Sequence, residues 1–328
     1  MNYIGSKYKL SKFIKSEIKK IVGEMKDKVF CDLFAGTGAI GRTFKTESKK
    51  IIANDIEYYS YVLNQNYIGN HKELDWQESV DELKNLKGVR GFIYKNYCAG
   101  SGSERQYFSD ENGKKIDAIR RKIEQWKTIG LINKNLYYFL LTTLIENADA
   151  VANTTSVYGA FLKHLKKSAQ KTLNLKPALF DFNEAEHEVF NENANSLINK
   201  IEGDVLYLDP PYNARQYGAN YHLLNTIARY DKFVLNGKTG LRNYERSLYC
   251  QKKEVSNIFE NLIKNAKFKY IFLSYNNEGL MDSETVKIIM SKYGKYGKCE
   301  TNYQRYKADN NRQHIANETT EFLHFLEK

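Results

Sequence analysis

The residues best suited to chemistry in this chain are the four at Asp209-Pro210-Pro211-Tyr212, which directly follow an apolar run at 205–208. The 328 residues include only three prolines, and two of them are adjacent here. Because proline cannot donate a hydrogen bond to a sheet ladder, a strand over this run must end at Asp209. We therefore expect a rigid turn at the carboxyl edge of a parallel sheet, the edge at which open α/β sheets bind ligands.

The Asp209 carboxylate and the Pro210 carbonyl could together accept both hydrogen bonds of an amino group. An amino group on a heteroaromatic base is a poor nucleophile because its lone pair is delocalised into the ring. Two acceptors would localise that lone pair and aim it, mostly by positioning and preorganised electrostatics. Tyr212 could stack on the base, which has to leave a duplex before its amine is accessible. By itself, the tetrapeptide indicates a flipped base that carries an amino group.

A glycine turn and a second carboxylate predict a nucleotide-like cofactor. Gly36-x-Gly38-x-x-Gly41 follows a short apolar run at 29–34, and residues without a Cβ let the backbone approach a ligand closely. This spacing satisfies the dinucleotide fingerprint but also occurs in S-adenosylmethionine sites, so the turn alone leaves both open. Asp55 closes the next apolar run and could bind ribose hydroxyls, with Glu57 as a competitor, or it could simply cap a helix.

The pattern of elements predicts an α/β fold with a Rossmann-like sheet, helices on both faces and an inserted α-rich domain. Short apolar runs at 29–34 and 51–55 are joined by a helix-length crossover, which is typical of a right-handed βαβ unit. Helical spacing is found at 11–22, 116–126 and 136–150, and further strands are expected at 270–275 and 321–326. We assign 1–67 and 181–328 to a catalytic domain and 68–180 to the insertion.

Composition and charge narrow the setting of the protein. The net charge of +11 suits a polyanionic partner, although an AT-rich genome also inflates lysine and could explain the 25 tyrosines. The four cysteines form no CxxC or Cys/His cluster, so we expect no metal site and a reducing compartment. No apolar run reaches the roughly 18 residues needed to span a bilayer. We expect a cytoplasmic protein, bacterial or phage-encoded, with no membrane association.

Two motifs together resemble a known family. Asp32-Leu33-Phe34-Ala35-Gly36-Thr37-Gly38 is similar to the D-x-F-x-G-x-G motif of methyltransferases, and Asp209-Pro210-Pro211-Tyr212 to their catalytic motif. The chain resembles the alpha group of DNA adenine-N6 methyltransferases, the Dam-like family, nearly end to end. The resemblance implies S-adenosyl-L-methionine as the methyl donor, with no metal. It also implies a set of cofactor-binding residues, namely Tyr3, Lys7, Asp32, Phe34, Ala35, Gly36, Thr37, Gly38, Asp55, Asn193, Ala194 and Asp209.

At two of these positions the chain has a residue that differs from the one usual in the family. Tyrosine stands at Tyr3 where Dam-type enzymes carry tryptophan, and Asn193 stands where aspartate is frequent. Asn193 and Ala194 are implied to contact the adenine of the cofactor.

The family resemblance also implies how double-stranded DNA is bound. It makes 68–180 a target-recognition domain, in which arginines read bases and lysines anchor phosphates. Tyr303 to Asp309 resembles the loop that packs the flipped base. A cognate restriction endonuclease acting on the same site is an expected partner, and we expect a monomer or weak dimer. The residues implied to contact DNA are Arg105, Arg120, Arg121, Lys163, Arg215 and Tyr217.

Three alternatives remain open from the sequence alone. The first is an enzyme of the same fold that methylates RNA adenine or the N4 amine of cytosine, although many such enzymes favour Ser-Pro-Pro-Tyr or Asn-Pro-Pro-Tyr. The second is a non-catalytic DNA-binding module that has kept the fold. The third, a nicotinamide oxidoreductase, requires the Asp209 motif to be an accident.

Overall fold

In the computed structural model, residues 7–304 and 318–328 are described, and side chains are described for 7–302 and 320–328. The described residues divide into two compact units. One, the helical unit, consists of Lys72–Phe180 and Tyr217–Glu245. The other, the sheet unit, consists of 7–71, Asp181–Gln216 and the described part of Arg246–Lys328. The segment Tyr217–Glu245 lies within the range that the sequence assigned to the catalytic domain.

A single mixed sheet organises the sheet unit. Its order among the described residues is β3-β2-β1-β4-β5-β7-β6, with β1 to β5 parallel and β7 antiparallel to both of its neighbours. The α/β prediction is confirmed. The run at 321–326 does form a strand, but β6, which was not predicted, lies outside it at the edge. The strands are β1 (Val29–Asp32), β2 (Lys50–Asn54), β3 (Glu188–Phe190), β4 (Glu202–Leu208), β5 (Lys267–Asn276), β6 (Lys295–Gln304) and β7 (Glu318–Glu327).

Helices are found in both units. Two short 3₁₀ turns (Lys7–Leu10 and Leu248–Cys250) and a π-helical turn (Gln65–Gly69) accompany them. The α-helices are α1 (Ser11–Val22), α2 (Ala39–Lys45), α3 (Tyr58–Asn64), α4 (Gln77–Asn85), α5 (Phe92–Tyr97), α6 (Asp110–Thr128), α7 (Lys134–Ala150), α8 (Ala194–Leu197), α9 (Tyr217–Asn220), α10 (His222–Arg229), α11 (Val255–Asn265) and α12 (Ser283–Ser291). No helix in the described part of the chain is long and apolar enough to cross a membrane.

Apolar layers cover both faces of the sheet. Along β4, Leu206 and Leu208 face a core that includes residues of α11 and α12, whereas Val205 and Tyr207 face a core that includes residues of α1 and α2. Side chains alternate between the faces of a strand, so a fully buried strand needs apolar residues at every position. This explains why 205–208 is a continuous apolar run rather than an alternating one.

The helical unit is organised around α6 and α7, which begin at side-chain caps. Ser109 accepts a hydrogen bond from Asn112 N, and Asn133 accepts one from Leu136 N. On α6, the fully buried Asp117 accepts hydrogen bonds from the backbone N–H groups of Gly91, Ile93 and Tyr94 and from the Tyr230 hydroxyl. Its carboxylate therefore satisfies the first N–H groups of α5 and ties them to the Tyr230 side chain.

The sheet unit is interrupted twice, and at both interruptions its own residues hold the chain ends together. Buried Lys45 donates to the carbonyls of Tyr67, Asn70 and Asp181, and Asn183 N donates to His71 O at 3.0 Å. At the second interruption, Gln216 makes two hydrogen bonds with the backbone of Ser247, at 2.8 and 3.2 Å. The chain therefore leaves and re-enters the sheet unit at closed stems.

Candidate active site

Three carboxylates lie at the carboxyl ends of adjacent parallel strands in the sheet unit. Asp32 ends β1, Asp55 follows β2 and Asp209 follows β4. Since β2, β1 and β4 are neighbours, these ends share one edge, where α/β sheets bind ligands. The strand predictions that placed these residues at the same edge are confirmed.

The glycine turn after β1 adopts the backbone conformation that requires glycine. Gly36 and Gly38 have φ of +52° and +76°. A Cβ at Gly38 would lie 2.6 Å from Asn64 Oδ1, so substitution would bring both a steric clash and backbone strain. The turn is therefore closely fitted to its surroundings.

Asn64 braces this turn, although it was not identified from the sequence. Its Nδ2 donates to Gly36 O at 3.1 Å and to Ser60 O at 2.8 Å, and the side chain is buried. An amide at the end of a largely apolar helical run is an available but weak signal, because amides also occur at helix ends without function. The brace fixes the carbonyl side of the turn.

Asp55 fixes the amide side of the same turn. Its Oδ2 accepts from Gly36 N and its Oδ1 from Glu57 N, both at 2.8 Å. Burial raises the pKa of Asp55 to about 6, against these two hydrogen bonds, which lower it. Asp55 therefore joins the glycine turn to the residue that precedes α3, whose N-cap is Glu57. Its expected role as a ribose ligand stays a prediction.

Asp32 is a buried carboxyl group that is only half satisfied. Its Oδ2 accepts from Gly41 N at 3.1 Å, whereas its Oδ1 has no hydrogen-bond partner among the described residues. Burial raises the pKa of Asp32 to about 8, and the charges of Asp209 and Asp55 add to this effect. A buried acceptor without a donor is costly in an empty fold, which is typical of a position that a ligand completes.

The catalytic candidate Asp209 is paired with Lys7, which in turn is paired with Glu321 on β7. The Lys7 ammonium lies 3.3 Å from Asp209 Oδ1 and is hydrogen-bonded to Glu321, and both Lys7 and Glu321 are 6% exposed. Glu321 also accepts a hydrogen bond from the Ser274 hydroxyl at 2.8 Å. Lys7 was expected near the cofactor on resemblance alone. Its contacts join it to Asp209, the first residue of the tetrapeptide.

This cluster controls the charge of Asp209. Burial raises the pKa of Asp209 to about 7; Lys7 lowers it and Glu321 raises it further. For Lys7 itself, burial lowers the pKa, but the charges of Asp209 and Glu321 outweigh this and raise it above its ordinary value. Lys7 therefore stays positively charged while Asp209 titrates near neutral pH.

Glu321 was not identified from the sequence, although a signal existed. It begins the apolar run 321–326 and lies two positions before buried Leu323 on the same strand. Strand alternation therefore puts its carboxylate on the same inward face as Leu323. A carboxylate at an inward position is rarely found without a partner.

Aromatic side chains flank the tetrapeptide and the glycine turn. The Tyr212 ring lies edge-on to Tyr275, with centroids 6.3 Å apart, and the Lys7 ammonium is 5.5 Å from its centre. Phe34 packs edge-on against Tyr249 at 5.0 Å. Tyr212 and Phe34 are only partly buried, so each of these two residues presents some surface to solvent.

The segment expected to contact the cofactor's adenine is held against the end of β2. Asn191 Nδ2 donates to Asp55 O at 2.7 Å, and Asn54 makes hydrogen bonds to both backbone groups of Glu192. Asn193 uses its side-chain oxygen to cap α8, accepting from Asn195 N and Ser196 N. Capping explains why asparagine suits this position, because Asn and Asp are among the preferred N-cap residues.

The residues expected to contact DNA fall into two groups. Arg120 is 3% exposed, and its guanidinium group donates to the carbonyls of Ile227 and Ala228 and to Glu124. This burial does not fit the expectation that Arg120 contacts DNA. Arg105 also donates to three backbone carbonyls, as described below, whereas Arg121, Lys163 and Arg215 are exposed.

Of the remaining expected site residues, Tyr217 is described, whereas two other expectations fall outside the described side chains. Tyr217 stacks on Tyr221 with ring centroids 6.0 Å apart. Tyr3 lies outside the described residues, and so do the side chains of the segment from Tyr303 to Asp309. Within the described residues, no group of three or more His, Cys, Asp or Glu side chains could hold a metal ion.

Comparison with known proteins places these residues in a family. The model of the D12 class N6 adenine-specific DNA methyltransferases matches residues 3–289. The Type II methyltransferase M.NlaIII of Neisseria lactamica is 61% identical, covering all of this chain and 99% of the relative. M.CviAII of Paramecium bursaria Chlorella virus 1 is 36% identical over 99% of the chain and 98% of the relative. M.FokI of Planomicrobium okeanokoites is 40% identical over the whole chain, which spans about half (53%) of M.FokI. The chain therefore belongs to the D12 class of N6 adenine-specific DNA methyltransferases.

Proposed function

We propose that the protein transfers a methyl group from S-adenosylmethionine to the N6 amine of a flipped-out adenine in duplex DNA, as the methyltransferase of a Type II restriction-modification system. Its closely similar relatives carry Type II names, and family membership disfavours the RNA, cytosine and non-catalytic alternatives. The observation that carries the proposal is the ionisable Asp209, followed by Pro210 and positioned at the same sheet edge as the glycine turn.

The residues at this edge fit S-adenosylmethionine. The unpartnered oxygen of Asp32 suits the ammonium of the methionine part, and Asp55 suits ribose hydroxyls. The turn from Ala35 through Thr37 to Gly38 has no Cβ at Gly36 and Gly38, so its backbone can approach a ligand closely. Phe34, Asn193 and Ala194 complete the set, with Tyr3 proposed from resemblance. When bound, the cofactor supplies an electrophilic methyl group on a sulfonium.

The chain's own residues prepare the adenine amine. The Asp209 carboxylate and the Pro210 carbonyl accept hydrogen bonds from the two N–H groups of the amine. These hydrogen bonds localise the nitrogen lone pair. Lys7, held by Glu321, favours the ionised form of Asp209, and a carboxylate with a pKa of about 7 can also accept the proton that the amine loses. Tyr212 stacks on the base, and Pro211 keeps the turn rigid.

The helical unit is proposed to hold the DNA. Its exposed Arg121 and Lys163, together with Arg215 and Tyr217 after the tetrapeptide, are the remaining candidates for contact. A cognate endonuclease acting on the same site would complete the restriction-modification system.

A methyl-transfer assay tests this function. Radiolabelled S-adenosylmethionine is incubated with the protein and with unmethylated duplex DNA or total RNA, and the products are digested to nucleosides. We expect label in N6-methyladenine from DNA only, and none with Asp209→Ala. Label confined to RNA, or found in N4-methylcytosine, would refute the proposal.

A further inference from the structure

A tight hairpin in the helical unit has no role in the site described so far. Asn236 and Leu241 exchange both backbone hydrogen bonds, at 2.9 and 2.8 Å, and enclose a four-residue turn. Gly237 and Gly240 have φ of +63° and +66°, in the region that favours glycine. The backbone of this turn is therefore specified by its sequence and is not an arbitrary loop.

Two side chains from elsewhere in the helical unit hold the turn from below. Arg105 donates to the carbonyls of Lys238, Gly237 and Asn96, at 3.0, 3.2 and 3.3 Å. Fully buried Tyr97 donates its hydroxyl to Gly240 O at 2.7 Å. A Cβ at Gly240 would lie 2.8 Å from Arg105 Nε, so the turn approaches its support as closely as a residue without a side chain allows.

The next residues of the segment are fixed as well. Arg242 makes two hydrogen bonds to the Asp231 carboxylate, at 3.0 and 2.9 Å, and its guanidinium group lies 4.8 Å from the centre of the Phe233 ring. Two residues at opposite ends of the segment are thereby joined. The hairpin is therefore held by side-chain contacts both at its tip and at its base.

Despite this support, several side chains of the segment are exposed to solvent. Asn236, Lys238 and Asn243 are exposed, and Val234 is 82% exposed. Ordering a backbone residue costs about 1 kcal/mol or more, which burial normally offsets. A turn that is held rigid while it presents polar side chains to solvent is typical of a recognition element that avoids ordering costs on binding.

The exposed side chains have the chemistry of nucleic-acid contact. Asn236 Nδ2 donates to Asn243 Oδ1 at 3.1 Å, which aligns two amides while leaving further donors and acceptors on both. Amides read base edges in the major groove, and lysine anchors phosphates. Lys232 and Lys238 are exposed in the same segment.

We propose that the Asn236–Leu241 hairpin enters a DNA groove, where Asn236 and Asn243 read base edges and Lys238 contacts a phosphate. Arg105 is then a positioning residue that acts through the hairpin, and does not itself touch DNA. This inference rests on the proposed function, because it assigns part of the specificity of that same reaction.

The chain offers a closely matched pair of variants as a test. Asn236→Ala with Lys238→Ala removes an exposed Asn-x-Lys from the hairpin, whereas Asn85→Ala with Lys87→Ala removes an exposed Asn-x-Lys elsewhere in the helical unit. Amplified, unmethylated bacterial genomic DNA is treated with each protein, and methylated adenines are mapped by single-molecule sequencing. For a 30-base-pair duplex carrying the wild-type site, KM and its salt dependence are then measured.

The hairpin variant should methylate a relaxed set of sites, or raise KM for the duplex about tenfold, since one well-made base contact discriminates by roughly that factor or more. Lys238→Ala alone should lower the slope of log affinity against log salt by about one. The Asn85/Lys87 variant should match wild type in all three measurements. If the hairpin variant has the wild-type site preference and KM, the proposal is overturned.

Variants of Arg105 provide an independent test of the proposal. Arg105→Ala should relax the site preference while leaving calorimetric binding of S-adenosylmethionine unchanged, and Arg105→Lys should rescue little, because one ammonium cannot reproduce the guanidinium fork. A loss of thermal stability with unaltered site preference would overturn the positioning role. Failure of wild type to methylate DNA at all would contradict the proposed function instead, so the two failures are distinguishable.

Discussion

Asp117 in the helical unit and Asp209 in the sheet unit are both largely buried carboxyl groups, yet they are held in opposite ways. Asp117 accepts four hydrogen bonds, three from backbone N–H groups and one from Tyr230. Asp209 Oδ1 has no hydrogen bond of normal geometry among the described residues and is held by the Lys7 charge at 3.3 Å. The Asp117 carboxylate is saturated with local donors, whereas Asp209, the proposed catalytic residue, is left under-satisfied and is controlled by charge.

The largest effect is expected from removing the under-satisfied group. Asp209→Ala should lower the single-turnover rate of methyl transfer on the order of 100- to 1,000-fold, since it removes an electrostatic contact made to the reacting nitrogen. The melting temperature should change little, because no backbone donor loses its partner. Rapid-quench methylation and thermal unfolding, measured on the same preparation, give both quantities.

Asp117→Asn is the matched control and should show the reverse behaviour. The introduced NH₂ group faces N–H donors, so at least one buried group loses its partner at a cost of about 2 kcal/mol in the free energy of unfolding. The rate per folded molecule should stay at the wild-type level. A slow but stable Asp117→Asn enzyme would break the comparison.

The next effect concerns pH. Since the pKa of Asp209 is raised to about 7 and the ionised form accepts the hydrogen bonds, the rate should fall as pH drops below about 7. Lys7→Met removes a positive charge, so the pKa of Asp209 should rise and the acid limb should move to higher pH. Glu321→Gln removes a negative charge, so the limb should move to lower pH.

Opposite movements of the pH–rate profile separate charge control from simple loss of packing. The titratable groups that interact with Asp209 are Lys7, Glu321, Tyr207 and Asp32, so profiles of the two variants isolate the first two. Shifts in the same direction for Lys7→Met and Glu321→Gln would show that packing, not charge, sets the profile.

A smaller effect is expected at Asp32, which is half satisfied. Asp32→Asn should weaken S-adenosylmethionine binding at least about tenfold, as expected for a lost charged hydrogen bond. The effect of this substitution on folding stability should be in the opposite direction. Burial raises the folded pKa of Asp32 to about 8, so wild type binds this proton more tightly folded than unfolded and loses stability as pH rises from about 4 to 8.

The asparagine variant lacks this cost, so its melting temperature relative to wild type should increase over that pH range. Calorimetric titration and thermal unfolding from pH 4 to 8 measure the two trends. Equal cofactor affinity for both proteins would remove Asp32 from the proposed cofactor site.

The smallest effect on DNA binding is expected at two adjacent arginines, of which Arg120 is buried and Arg121 is exposed. Arg121 is exposed, and its replacement by Ala should weaken DNA binding only a few-fold, more so at low salt. Arg120→Ala should instead destabilise the helical unit by about 2–4 kcal/mol, since the carbonyls of Ile227 and Ala228 lose their donor. Binding titrations at two salt concentrations and urea unfolding distinguish them. Equal DNA losses in the two variants would contradict the assignment.

The elements that carry the site could be predicted because their signals are local. The apolar run at 205–208, the two adjacent prolines and the glycine turn each constrain the backbone within a few residues, and the structure has strands that end where these residues required. Parallel pairing then brings Asp32, Asp55 and Asp209 to one edge whatever the loops do.

The remaining parts depend on contacts between distant positions. Glu321 meets Lys7 only because β7 folds back beside β5, 314 residues along the chain from Lys7. Arg105 and Arg120 have compositions suited to DNA, but backbone carbonyls more than a hundred residues away claim their donors. The sequence shows which side chains can form hydrogen bonds and ion pairs, but it does not show which partners they bind in the fold.

The closed stems at Lys45 and Gln216 have a consequence for how this protein can change. Each excursion from the sheet unit leaves and returns between residues that are already joined, so the strands keep their register whatever length of chain is carried outside them. New loops or whole replacement segments could be inserted between residues 71 and 181, or between 216 and 246, without changing the pairing of the strands. We therefore expect chimeric enzymes in which both segments are exchanged together between relatives to keep the sheet unit folded.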